Sequence, residues 1–351
     1  MKLMTVEEHF ESAAVTTAMR QAVGNAALPT VSPALRQYMR DNLPSPAIMQ
    51  DTQHERLAFM AQYGIDMQVL SYGNSSPQNL SPEQAVPFSQ LANDELAKAV
   101  AAHPDRYAGL AVLPVGDPQA AVAELNRAVT TLGLRGVLLK GNYQNKFFDE
   151  PFFLPIFEAA AALDVPVYFH PSFIPQAVTS HYFESNQWSD VVTGILSSAG
   201  YGWHMDVGIQ VIRMIASGIF DKLPGLKLIS GHWGELVPLF LERLDDELTT
   251  YTDLQYPFST YYRHNVYVTP SGILSAPQLQ FMLAEMGADH LMYSIDYPYK
   301  QPETSGSFLD IADLTDEQRA QIAFGTATTL FKLWEERNNV IKRTTNAGNP
   351  G

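Results

Sequence analysis

The 351-residue sequence contains no cysteine. That excludes a disulfide framework and thiolate chemistry, and it fits a reducing compartment such as the cytoplasm. Basic residues are few: 22 Lys and Arg stand against 37 Asp and Glu, a formal charge of −15. Without a basic excess to neutralise phosphates, a nucleic-acid partner is not expected. A local cationic pocket for a small anion can still sit within an acidic shell. No stretch approaches the roughly 20 apolar residues of a membrane span, and the start lacks the charged-then-apolar pattern of a signal peptide. A glycine-rich loop after the first strand is also missing, which weakens a doubly wound nucleotide-binding sheet.

What is present is a hydrophobic content of 46%, enough for a substantial core. Short apolar runs rich in β-branched and aromatic residues predict strands at Leu3–Glu8, Met67–Ser71, Tyr107–Leu113, Gly136–Lys140, Val165–His170, Leu226–Ser230, Asn265–Thr269 and His290–Ile295. Amphipathic stretches between them predict helices at Gln53–Tyr63, Pro82–Ala102, Pro118–Thr131, Pro151–Leu163, Asp206–Phe220, Gly234–Thr250 and Ala276–Met286. Ser81-Pro82 and Asp117-Pro118 read as helix starts, and Gly64, Gly133 and Gly287 as helix ends. Strands alternating with helices in this way predict a single (β/α)8 TIM barrel over residues 1–336, with a frayed polar tail at 337–351.

Two segments exceed a minimal barrel. Residues 11–50 form a proline-punctuated excursion after strand one. Residues 171–203 follow strand five and carry Phe173, Tyr182, Phe183, Trp188, Tyr201 and Trp203. Insertions at the carboxyl ends of barrel strands build lids and pocket walls. The same aromatics could equally bury a subunit interface.

Among nine histidines, His54, His103, His181, His264 and His290 fall in loops or on polar faces, and His204 opens a helix ambiguously. His9, His170 and His232 each close a predicted strand, where a barrel places its active site. Strand alternation predicts that Glu7 and His9 share a face, with Val6 and Glu8 on the other. With His170 and Asp296 from two further strand ends, they make a mixed nitrogen and oxygen set. Such a set suits Zn²⁺, Mn²⁺ or Fe²⁺ better than Ca²⁺ or Mg²⁺.

These residues carry a resemblance. Val6-Glu7-Glu8-His9-Phe10, Tyr168-Phe169-His170-Pro171, Gly231-His232-Trp233-Gly234-Glu235 with Arg243, and Ser294-Ile295-Asp296-Tyr297-Pro298 resemble the amidohydrolase-2 group of metal-dependent barrels. The likeness is to its non-oxidative decarboxylases: the γ-resorcylate and 2,3-dihydroxybenzoate enzymes and, more distantly, aminocarboxymuconate semialdehyde decarboxylase. It spans residues 3–335. It implies one divalent ion, Zn or Mn, held by Glu7, His9, His170 and Asp296. Asp296 would also be the proton donor, and His232, oriented by Glu235, would face the substrate. Arg243, Lys140 and Asn74 are the candidate contacts to a small carboxylate substrate, Arg243 alternatively pairing with a neighbouring acid such as Asp245 or Asp246. The implied reaction is loss of CO₂ from a hydroxybenzoate-like or unsaturated acid, with hydrolysis of a lactone or amide as the alternative. A homodimer or homotetramer is implied too. Two positions depart from the pattern. Lys140 stands where bimetallic amidohydrolases place a bridging carbamylated lysine, and here it could bridge, bind an anion or lie at the rim. Tyr297 replaces a tryptophan.

Overall fold

The structure, a computed structural model, describes residues 1–24 and 31–333. The 337–351 tail expectation therefore lies outside the described residues. Among the described residues seven strands run in order: β1 Met4–Phe10, β2 Met67–Tyr72, β3 Tyr107–Gly109, β4 Val137–Lys140, β5 Val167–His170, β6 Leu228–Ser230 and β7 Val266–Val268. Every neighbouring pair is parallel, in the orders β1-β2-β3 and β4-β5-β6-β7. A parallel bridge from Ala111 to Val137 joins the two sheets, and one from Val268 to Leu291 carries the second onward. This is the mixed α/β, parallel arrangement of a (β/α)8 barrel.

The eighth predicted strand, His290–Ile295, is not a regular strand: a 3₁₀ turn covers Ala288–His290 and the following residues run extended without a ladder. The reason lies in β1. Its register with β2 slips between Val6 and Glu8, so Glu7 is an extra, bulged residue at φ 81°. Backbone bonds Val6 N–H to Tyr293 O (2.9 Å) and His9 N–H to Tyr297 O (2.7 Å) tie the segment to β1 on either side of the bulge. Between them the Glu8 carboxylate accepts from Ile295 N–H at 3.0 Å and Tyr297 N–H at 2.9 Å. A side chain stands in for the backbone acceptors of a regular seam.

Two apolar layers follow from the period-two pattern. Met4, Val6, Met67, Val69, Leu138, Tyr168, Ile229 and Met292 fill the barrel interior, floored by Ala327, Leu330 and Phe331. Residues of opposite parity, such as Leu70, Tyr72, Leu139 and Phe169, pack outward against helices. Pro118–Thr130 shows why those helices form where they do. The Asp117 side chain accepts from Gln119 and Ala120 N–H, and proline fills the first turn, where no N–H is required.

Several predicted helices shift. Pro151–Leu163 begins as a 3₁₀ turn, Pro151–Phe153, before the helix Leu154–Leu163. Asp206–Phe220 divides into Gly202–Ala216 and Ile219–Lys222 at Gly218, which sits at φ 69°. Gly234–Thr250 starts only at Val237, because residues 232–236 all take left-handed backbone. The excursion after β1 holds helices Ala13–Val23, Pro33–Asn42 and Pro46–Gln50. It faces the insertion after β5 across a cavity of ≈ 1000 Å³ lined by residues including Leu35, Phe173, Ile174 and Thr179. No helix among the described residues is long and apolar enough to cross a membrane.

Candidate metal centre

Period-two placement brings Ser71, Lys140, Tyr168, His170 and Thr269 to one end of the barrel interior. β1 alone breaks the rule. Val6 already faces inward, so strict alternation would turn His9 outward. The bulge at Glu7 resets the phase, bringing His9 opposite Ser71 and turning Glu8 outward opposite Leu70. The expectation that Val6 and Glu8 share a face is corrected: Glu7 and His9 face inward together because of the bulge.

Glu7, His9, His170 and Asp296 present one ligand atom each, all within 4.8 Å of one another. His9 Nε2 lies 3.3 Å from Asp296 Oδ1, and His170 Nε2 lies 3.5 Å from Glu7 Oε1. The other nitrogen of each imidazole is occupied: His9 Nδ1 meets Ser71 Oγ at 3.0 Å, and His170 Nδ1 meets the Pro171 carbonyl at 2.7 Å. Glu7 Oε2 accepts from the hydroxyls of Tyr168, Thr269 (3.2 Å) and Ser271. Glu7 Oε1 and His9 Nε2, by contrast, are buried and bond to nothing. Buried polar atoms are rarely left so. Orphaned atoms converging from a Glu-His-His-Asp set, each ligand oriented by its other atom, fit a divalent first-row ion.

The titration directions agree. Burial holds both His9 and His170 well below the usual histidine range, the nearby Lys140 charge adding to it, so both are neutral donors. Burial raises Glu7, against the opposing His232 charge and the Ser271 and Tyr168 hydrogen bonds. Asp296 is raised well above its usual range by burial and then by the Glu7 charge beside it. Gly231 is required here by close approach: a Cβ would fall 2.6 Å from Ser271 Oγ and 2.9 Å from Tyr168 Oη.

The remaining predicted residues divide. His232 Nδ1 bonds Glu235 Oε1 at 2.7 Å. Burial opposes its charge, but Glu235, with Glu7 and Asp296, more than offsets that and brings it up to about 9. Lys140 is buried rather than at a rim, its Nζ donating to the Gly73 carbonyl at 2.6 Å. Burial lowers it to about 8, with Glu11, Asp296 and Glu7 pulling the other way. Arg243 is not brought to the site. Its side chain is 71% exposed on the helix Leu241–Leu248 and pairs with Glu247 at 3.2 Å, one turn on. Asn74 is exposed on the loop after β2, and its backbone, not its side chain, meets Tyr299. Ser71, Tyr168 and Thr269, together with Ser271, join the site without having been sequence candidates, Tyr168 having entered only within its motif. The signal was available for the first three, since each shares the inward parity of its strand.

The amidohydrolase family model matches residues 48–333, and the chain belongs to that family. It is 33% identical to a decarboxylase, orsB, of Emericella nidulans, over 94% of this chain and 97% of that one. It is 32% identical to the γ-resorcylate decarboxylase of Rhodococcus jostii, over 81% and 88%. A dihydroxybenzoic acid decarboxylase from a Polaromonas species, solved with manganese and the inhibitor 2-nitroresorcinol, superposes with a TM-score of 0.77 at 27% identity. That match covers 95% of this chain and 97% of the other. All three relatives are decarboxylases, and the last two are named for γ-resorcylate and dihydroxybenzoic acid.

Proposed function

We propose that this chain is a metal-dependent, non-oxidative decarboxylase of a small aromatic acid carrying a hydroxyl ortho to its carboxylate. The observation that carries the reading is the orphaned pair Glu7 Oε1 and His9 Nε2, converging with His170 and Asp296 beside a His232–Glu235 dyad. A divalent ion held by Glu7, His9, His170 and Asp296 would supply positive charge to chelate the carboxylate and the adjacent phenolic oxygen.

Asp296 is the proposed proton donor. Delivering a proton to the ring carbon that bears the carboxylate makes that carbon tetrahedral. The bond to the carboxylate then breaks, its electron pair restores the aromatic ring, and CO₂ leaves. His232, with Nδ1 committed to Glu235, has Nε2 left for the substrate, and its cationic form at neutral pH stabilises charge on substrate oxygen. Lys140 is the proposed further contact for substrate anion, supported by its burial beside the same group.

We further infer a homodimer or homotetramer in the cytoplasm. Support for assembly comes from Phe173, Tyr182, Trp188 and Tyr201, all large and exposed on or beside the insertion after β5. Light scattering on a sizing column reads the number of subunits.

The deciding experiment is metal content per chain together with CO₂ release from a panel of hydroxybenzoates. One equivalent of a first-row ion with CO₂ evolved is the expected result. Two equivalents with no CO₂ from any acid would refute it in favour of hydrolysis.

A further inference from the structure

Besides the metal-directed group, the described residues hold a second cluster of His and Glu side chains: His204, His232 and Glu235. The Glu235 carboxylate is fully divided between the two imidazoles. Its Oε1 lies 2.7 Å from His232 Nδ1 and its Oε2 lies 2.8 Å from His204 Nδ1. The two rings are 4.3 Å apart between centres. His204 Nε2 in turn meets the Ala199 carbonyl at 3.1 Å. Both Nδ1 contacts have hydrogen-bond lengths, shorter than the roughly 3.4 Å that separates two ligand atoms about 2.1 Å from one tetrahedral ion, so the trio is joined through the carboxylate by hydrogen bonds.

Helix packing holds this arrangement in register. His204 belongs to the helix Gly202–Ala216, which follows the aromatic insertion. Gly208, four residues on and so on the same helix face, comes so close to the His232–Glu235 turn that a Cβ would lie 2.5 Å from the Glu235 carbonyl oxygen. Absence of a side chain at Gly208 is what lets His204 reach Glu235. The turn itself is a run of left-handed residues, His232 at φ 48° through Leu236 at φ 68°, which sets the backbone but not the Glu235 side-chain torsions. A buried carboxylate with one oxygen unpaired would turn toward any other donor, because leaving it bare is costly.

We infer that His204 is a positioning residue. It holds Glu235 so that Oε1 stays on His232 Nδ1 and His232 Nε2 stays aimed at the substrate, and it ties the insertion after β5 to the reacting centre. The kinetic part of this inference rests on the decarboxylase reading. The hydrogen-bond part does not.

The test compares His204→Leu, which removes the donor while excluding water, with His204→Asn, whose amide nitrogen can reach the place of Nδ1. Both are made in the full-length, metal-loaded protein. His204→Leu is expected to lower kcat about tenfold, the lower end for losing a partner that orients a functional histidine. KM should stay within about twofold, metal content should be unchanged, and His204→Asn should recover most of the loss. Independently of turnover, ¹⁵N-edited NMR should show a slowly exchanging His232 Nδ1–H in the wild type and in His204→Asn but not in His204→Leu. His204→Ala serves the same comparison if the leucine variant does not fold. An unchanged His232 signal with unchanged kcat overturns the inference. So does a second equivalent of metal in the wild type that His204→Leu removes, which would make the trio a metal site. If the wild type releases no CO₂ from any acid, the decarboxylase reading fails while the NMR comparison still decides the role of His204.

Discussion

Glu8→Ala tests how the seam of the barrel and the position of Asp296 are held. Glu8 is fully buried, and its two oxygens accept from the N–H groups of Ile295 and Tyr297, the residues on either side of Asp296. Truncation leaves two buried donors bare, at about 1–3 kcal/mol each, or about 4 kcal/mol together. A second effect has the opposite sign and depends on pH. Burial raises the Glu8 carboxyl to about 7 in spite of both hydrogen bonds. The folded state therefore holds this proton more tightly than the unfolded chain, whose glutamate titrates near about 4.3. Wild-type stability is then highest, as far as Glu8 is concerned, below about pH 4.3 and falls as pH rises through about 7. At 1.36 kcal/mol per unit the full swing is about 3.7 kcal/mol, of which about 2.6 falls between pH 5 and pH 8. The variant lacks it. Denaturant titrations of both proteins in chelator, which removes stabilisation by bound metal, should give a difference of about 4 kcal/mol near pH 5, shrinking to about 1 near pH 8. A difference below about 1 kcal/mol near pH 5, or one that does not change with pH, would refute this account of the seam.

Metal binding should release protons, because Glu7 is raised by burial and ionises to coordinate, whereas His9 and His170 are already neutral. Affinity should thus fall as pH falls, and binding enthalpies measured in buffers of different ionisation heat should differ; equal enthalpies would contradict the assignment. Asp296→Asn should abolish CO₂ release, by about 10³-fold or more, with the circular dichroism spectrum unchanged, since it removes a ligand and the proton donor together. Near-normal turnover would exclude Asp296 as the acid. Arg243→Ala should alter stability by less than about 0.5 kcal/mol, as expected for an exposed i,i+4 pair, and leave KM for carboxylate substrates within about twofold. A tenfold rise in KM would mean that Arg243 reaches the site of a second copy.

Much of this architecture was legible because period-two runs and helix punctuation are local. Asp117-Pro118 caps its helix as the dipeptide predicts, and Lys140 and His170 close β4 and β5 where their apolar runs stop. What could not be read locally was tertiary. The eighth strand is irregular because a neighbouring strand bulges, and no pattern in His290–Ile295 signals that. Arg243 carries the composition of an anion contact, yet it lies on a helix face turned to solvent, a fact fixed by how Leu241 packs beneath it. His204 was ambiguous for the same reason: its partner Glu235 is 31 residues away and approaches only because Gly208 lets the helix in.

The bulge at Glu7 explains why the pair Glu7 and His9 can work as a clip at all. Two residues apart on a regular strand would put them on the same face, but on the face opposite Val6, away from the barrel interior. Inserting Glu7 as an extra residue at φ 81° lets Val6, Glu7 and His9 all face inward while Glu8 turns outward to close the seam. Left-handed backbone at a non-glycine residue costs of order 1 kcal/mol or more, so it persists only where surroundings over-determine it. Here they do, since Glu7 Oε2 is gripped by hydroxyls from β5 and from the residues after β7, leaving Oε1 without a hydrogen bond and available to the proposed ion. His232, Ser271 and Asp296 are left-handed as well, at φ 48°, 46° and 66°. Left-handed residues in β1, after β6, after β7 and after the irregular eighth segment thus place a carboxylate, an imidazole or a hydroxyl around the proposed centre. The strain is concentrated around the proposed centre, while the interior layers below it, from Met4 to Met292, keep regular apolar packing.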